Sequence, residues 1–96
     1  MGLSNKQRSY LRLLAHHRKP VVIVGNAGLS DTVLSEIDGA LHHHELIKVR
    51  VNASDRHQRK LMVERIGNET GATLVQQIGH IACYYRRGEE PIIQFP

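Results

Sequence analysis

The feature that most constrains the fold is a junction near residue 25. An apolar run, Pro20-Val-Val-Ile-Val24, leads directly into Gly25-Asn26-Ala27-Gly28, and Leu29-Ser30-Asp31 follows. The β-branched run predicts a strand, and its lack of alternation predicts one that is covered on both faces or central in a sheet. Ser30 is a capping residue, so a helix is expected over roughly residues 31–43, with Val33, Leu34, Ile37, Ala40 and Leu41 as its buried stripe. Gly39 inside that helix costs about 1 kcal/mol of helix propensity and reads as a point of close packing on the sheet. Leu46 to Val51 then alternates: Ile47, Val49 and Val51 face one way, Lys48 and Arg50 the other. Strand, helix and strand in about 30 residues predict a right-handed parallel crossover.

The flanks extend this unit. Ser4 predicts a helix to about His16, with an apolar stripe of Tyr10, Leu11, Leu14 and Ala15; Arg8, Arg12 and His16 share a different face. Pro20 drives the residue before it to extended geometry and ends that helix. Ser54 is expected to cap a third helix over about 55–67, closed by Thr70-Gly71. Its Leu61, Met62 and Ile66 would point inward, and Arg56, Lys60 and the adjacent Arg59 outward. Ala72 to Ile78 and His80 to Arg86 read as an antiparallel hairpin turning at Gly79, and residues 92–95 as a short edge segment. The expected class is α/β: one domain over residues 1–96, in the order α-β-α-β-α-β-β, with no internal repeat or linker.

The G-x-x-G turn carries the chemistry. Its two glycines leave the backbone bare, so phosphates can approach without meeting a Cβ. Free N–H groups at the start of the following helix attract anions. Asn26 adds a short polar side chain that can bond a phosphate, sugar or base edge. No Gly-Lys-Ser/Thr follows, so this is no nucleotide P-loop, and the third glycine of a dinucleotide fingerprint is missing.

Charge points the same way. The formal net charge is +4 and the pI is near 9.6, which favours polyanionic partners. Residues 1–19 hold Lys6, Arg8, Arg12, Arg18 and Lys19 and no acid, whereas residues 30–45 hold Asp31, Glu36, Asp38 and Glu45 and no Lys or Arg. This segregation predicts one positive face and one negative face.

Other constellations are weaker. His42, His43 and His44 are consecutive on a helix and point about 100° apart, so they cannot converge on one ion. No metal site or cofactor is expected. Cys83 alternates with Ile81 and Tyr85 and reads as a small buried residue rather than a nucleophile. Of Tyr84 and Tyr85, one is expected in the core and the other is free to stack on a base. No stretch approaches the ~18 apolar residues of a membrane span, and the first eight residues lack the apolar core of a signal peptide. With its lone cysteine, the chain is expected in the cytoplasm.

The segments Lys19–Ser30, Glu45–Arg50 and Thr70–Ala72, with Tyr85-Arg86 near the end, resemble the CRM domain (chloroplast RNA splicing and ribosome maturation), whose stand-alone bacterial members are YhbY-type proteins. The resemblance spans essentially the whole chain. It implies a four-stranded mixed sheet packed by helices, similar to the C-terminal domain of translation initiation factor three. It also implies RNA binding through the G-x-x-G loop and neighbouring basic surface, and association with precursors of the large ribosomal subunit. Carried over by position, the RNA-binding residues would be Gly25, Asn26, Ala27 and Gly28, with Lys19 before the first strand and Lys48 and Arg50 on the second. Arg8 and Arg12 on the basic first helix, and Arg86, complete the set.

The resulting expectation is a non-enzymatic RNA-binding protein that assists ribosome assembly. Its partners would be ribosomal RNA in large-subunit precursors and ribosomal proteins, with no membrane and no small-molecule substrate. The rival expectation is a protein–protein adaptor on the ribosome using the acidic helix 31–45.

Overall fold

A computed structural model describes residues 2–96. Its elements are α1 (Asn5–Ala15), β1 (Pro20–Val24), α2 (Asp31–His44), β2 (Leu46–Val51), α3 (Arg56–Thr70), β3 (Thr73–Ile78) and β4 (Ile81–Tyr85). They follow the expected α-β-α-β-α-β-β order. The four strands form one mixed sheet in the order β1-β2-β4-β3, with β1 parallel to β2 and the other pairings antiparallel.

Local chemistry explains the helix ends. Ser4 Oγ accepts from Gln7 N at 3.1 Å while Gln7 Oε1 accepts from Ser4 N at 3.0 Å, a reciprocal cap at the start of α1. Ser30 Oγ accepts from Val33 N at 3.1 Å and caps α2 as expected. The cap of α3 is Asp55 rather than Ser54: Asp55 Oδ1 accepts from His57 N at 2.8 Å. The α3 helix also runs on to Thr70 and stops where Gly71 adopts a left-handed φ of 70°.

Two cores lie on opposite faces of the sheet. Under α2 and α3, Val22, Val24, Ile47, Val49, Val51, Ala82 and Tyr84 pack against Ile37, Leu41, Val63 and Ile66. On the other face, Leu46, Val75, Cys83 and Tyr85 pack against Leu11 and Ala15 of α1 and Ile93 of the C-terminal segment.

Several expectations change in three dimensions. β1 is an edge strand, and Val21 and Ile23 are exposed, so its continuous apolar run does not mark a central strand. In α3 the inward residues are Val63, Ile66 and Thr70, with Met62 half-buried and Leu61 exposed. Gly39 is exposed, and a Cβ there would meet nothing within 4 Å, so it serves no close packing. Residues 92–95 form no strand; Ile93 and Phe95 instead close the α1-side core. Both tyrosines are buried: Tyr84 donates to the Val63 carbonyl at 2.6 Å, and Tyr85 stacks edge-on with Phe95. Neither is free to stack on a base.

Candidate nucleic-acid interface

The parallel pairing of β1 and β2 places their C-terminal ends side by side, Val24 beside Val51. In α/β sheets such strand ends are where ligands bind, because the connecting loops open there. β1 runs into the Gly25–Gly28 turn, and β2 runs into residues 52–55. Asn52 N donates to the Val24 carbonyl at 2.9 Å and locks the two exits together. Because β4 is antiparallel to β2, the β3–β4 turn arrives at the same end, where Val51 N donates to the His80 carbonyl at 2.7 Å.

The two glycines of the first turn do different jobs. Gly28 N donates to the Gly25 carbonyl at 3.0 Å, and Gly28 holds a left-handed φ of 82°. Gly25 has no left-handed φ, and a Cβ there would meet nothing within 4 Å. Gly28 is therefore required by the turn, and Gly25 leaves an unobstructed backbone in front of it. Asn26 and Ala27 are exposed at the tip. The start of α2 is a weaker anion site than the sequence suggests, since Ser30 already accepts from Val33 N and Asp31 brings a carboxylate into the first turn.

A cleft of about 490 Å³ lies between this turn and the β2–α3 loop, lined by Gly25, Asn26, Asn52, Ser54, Gln58 and Met62 among others. It meets a second cleft at Asp55, where Arg56, His57, Arg59 and Lys60 of α3 face Gln77 and Gly79 of the hairpin. Arg59 donates to the Ala53 carbonyl at 3.2 Å and so braces the β2–α3 loop. His80 Nδ1 lies 3.0 Å from the Val51 carbonyl. A carbonyl only accepts, so Nδ1 carries the proton, and the 3.4 Å approach of Arg59 to that atom is no hydrogen bond. Among the described residues the ion pairs are Arg65–Glu69 and Arg86–Asp38, which leaves Arg56, Arg59 and Lys60 without carboxylate partners.

The sequence-derived residues scatter relative to this end. Arg50 belongs to it: its Nε donates to Asn52 Oδ1 at 3.0 Å. Lys48 sits two residues back on the same strand face, half-buried beside Cys83. Lys19 precedes β1 and lies roughly 20 Å from Gly25 at a rise of about 3.3 Å per residue, in a separate cleft with His43 and His44. On α1, Arg8 donates to the Leu74 carbonyl at 3.0 Å and Arg12 to Ser9 Oγ at 3.1 Å.

Arg86 is already engaged, donating to Asp38 Oδ1 at 2.6 Å, the Asp38 carbonyl at 3.2 Å and the Thr70 carbonyl at 2.8 Å. It ties α2 and α3 to the end of β4, far from the turn. What the sequence missed was Asn52, Gln58, His57 and Gln77, which reach the groove only through the β1-β2-β4-β3 order. The i,i+4 pair Arg56 and Lys60 was legible as an exposed basic face.

The expected negative face is smaller than the sequence suggested. Glu45 is fully buried, and its carboxylate accepts from Gly88 N at 2.7 Å, Ile92 N at 3.0 Å and Ile93 N at 2.7 Å. With Asp38 bound to Arg86, only Asp31 and Glu36 of that acid set remain free for an adaptor role. Burial pushes the Cys83 thiol up to about 11, outweighing the nearby Lys48 and Arg18 charges, so it is no nucleophile at neutral pH. Among the described residues no group of three His, Cys, Asp or Glu side chains is arranged to hold a metal.

A mixed four-stranded sheet with two helices on one face and one on the other, and a G-x-x-G turn at the exit of its edge strand, defines a small α/β class. Residues 3–86 match the family model for the CRS1 / YhbY (CRM) domain, and the chain belongs to that family. It is 52% identical over 94 residues to a Haemophilus influenzae protein named RNA-binding protein, covering 98% of this chain and 95% of the other. It is 37% identical over 91 residues to a Pseudomonas aeruginosa protein named a probable RNA-binding protein, covering 95% and 88% of the two chains. The solution structure of a hypothetical protein from Staphylococcus aureus superposes with a TM-score of 0.82 at 35% identity, covering 99% of this chain and 100% of that one.

Proposed function

We propose that this protein binds RNA at the loop end of its sheet and acts, without catalysing a reaction, on ribosomal RNA in cytoplasmic precursors of the large ribosomal subunit. One observation carries the reading. Three loops converge on a groove that has a bare peptide turn at one side and, past Asp55, cations that make no ion pair at the other. The RNA-binding names of its relatives support the partner class.

In this reading a ribose-phosphate strand passes over Gly25, and Asn26 and Asn52 offer amide groups to it. Arg56 and Lys60 neutralise successive phosphates and release counterions. Lys48, Arg8, Arg12 and Lys19 add to the positive field outside the groove. Tyr84 and Tyr85 are both buried, so backbone and shape recognition outweighs base stacking.

Each phosphate contact contributes about 0.7–0.9 to the slope of log K against log salt. Arg56→Ala/Lys60→Ala should therefore flatten that slope by about 1.4–1.8 with the fold intact. An unchanged slope removes α3 from the footprint. Crosslinking in cells, followed by sequencing of the attached RNA, tests the target. Reads should concentrate in large-subunit ribosomal RNA, and a spread over messenger RNA would overturn the assembly role.

A further inference from the structure

The α1-side face of the sheet is only half covered. α1 and the C-terminal segment pack over Leu46, Val75, Cys83 and Tyr85. Towards the loop end, the register places Ile23 beside Arg50, Arg50 beside Ile81, and Ile81 beside Ile78. Paired residues point to the same side of a sheet. One residue from each strand thus forms a row across the whole sheet: three isoleucines and an arginine. Ile23 is 61% exposed and Ile78 is 68% exposed. Lys48 stands in the next row, between this one and the covered half.

The helix and strands on this side carry charge of one sign. α1 and all four strands contain no Asp or Glu, while α1 carries Lys6, Arg8 and Arg12 and β2 carries Lys48 and Arg50. The row has no aromatic side chain on which a base could stack, and branched aliphatics offer nucleic acid little. An amphipathic helix already lies on the other half of the same face. That helix is basic, so a neighbour laid beside it is complementary only if acidic.

We propose that the bare half of this sheet face docks an acidic, amphipathic helix of a protein partner, with its aliphatic side on Ile23, Ile81 and Ile78 and its carboxylates towards Lys48 and Arg50. The partner would then sit beside the groove assigned to RNA, within reach of the same ribonucleoprotein. The inference is independent of the RNA reading, because Ile23→Ser/Ile78→Ser leaves every cation and loop in place.

The test is a titration of isotope-labelled full-length protein, followed by amide resonances. The probe is a 14-residue helical peptide (about 21 Å at 1.5 Å per residue) with Leu on one face and Glu on the other. Its Leu/Lys counterpart is the control. The acidic peptide should shift Ile23, Arg50, Ile78 and Ile81, bind at least tenfold more weakly to Ile23→Ser/Ile78→Ser, and weaken with salt. The basic peptide should leave the row untouched. A row silent to the acidic peptide, or equally responsive to both peptides, overturns the proposal. So does a single-stranded oligonucleotide that shifts the same amides and loses affinity in the double variant, which would make the face an RNA surface. Shifts that track protein concentration would instead assign it to a second copy of the chain.

Discussion

The two ends of the sheet treat polar groups in opposite ways. At the far end, where β2 and β3 begin and β4 stops, three charged side chains are turned inward onto the protein. Glu45 collects three backbone N–H groups, Arg86 binds Asp38 and the Thr70 carbonyl, and Arg18 donates to the Leu46 carbonyl. At the loop end, Arg56 and Lys60 have no carboxylate partner among the described residues, and the Gly25 backbone is uncovered. Both ends are rich in charge. One uses it to hold the fold, and the other leaves it available to a ligand. Substitutions at the far end should therefore lower stability without changing RNA affinity, and those at the loop end should do the reverse.

The largest expected effect is at Glu45. This residue also bears a positive φ of 62°, an unfavourable geometry for a side chain, retained where its carboxylate anchors residues 88–93. Each N–H left without an acceptor costs about 1–3 kcal/mol, so Glu45→Ala should lose about 3 kcal/mol or more in urea unfolding. Burial alone would raise its pKa, but the N–H groups of Ile93, Gly88 and Ile92 and the Arg87 charge outweigh that and hold it below its ordinary value of 4.5. A depressed folded-state pKa means the stabilisation is fully present above the ordinary value and disappears as pH falls through the folded one. The stability gap between the native protein and Glu45→Gln should close as pH drops below about 4.5. A gap that stays constant to pH 3 breaks the assignment.

Arg86 comes next. Arg86→Ala removes a charge-assisted bond to the Thr70 carbonyl and the tie to Asp38, worth about 2 kcal/mol together. Asp38 is largely exposed, so most of that loss lies in the carbonyl rather than in the ion pair. RNA affinity of the folded variant should match the native protein. A drop in affinity without a drop in stability would place Arg86 in the interface and blur the contrast between the two ends.

This contrast also marks what the sequence could disclose. Periodicity and caps exposed the order of elements, because Ser4, Ser30 and the alternation of Leu46–Val51 act within a few residues of themselves. β1 misled because an edge strand with an open apolar face has the same composition as a central one. Glu45 and Arg86 looked like surface charges, since nothing local reveals that a segment more than 40 residues away supplies their partners. The G-x-x-G turn was legible as a bare corner. The groove beside it was not, because β4 inserts between β2 and β3 and so brings the hairpin turn to the same end.

The smallest stability effect sits in the turn itself, where two glycines can be separated. Gly28→Ala forces a Cβ into a left-handed conformation and should cost about 1–2 kcal/mol. Gly25→Ala meets neither a left-handed φ nor a neighbouring atom, so its stability should change by only about 0.5 kcal/mol or less. Gly25→Glu should fold equally well, since the added side chain has open space in front of it. It would also set bulk and negative charge where a phosphate is expected. Thermal unfolding and RNA titration on the same samples separate the two roles. If Gly25→Glu keeps native affinity, strand passage over the turn is wrong, and the groove along α3 must carry the RNA alone.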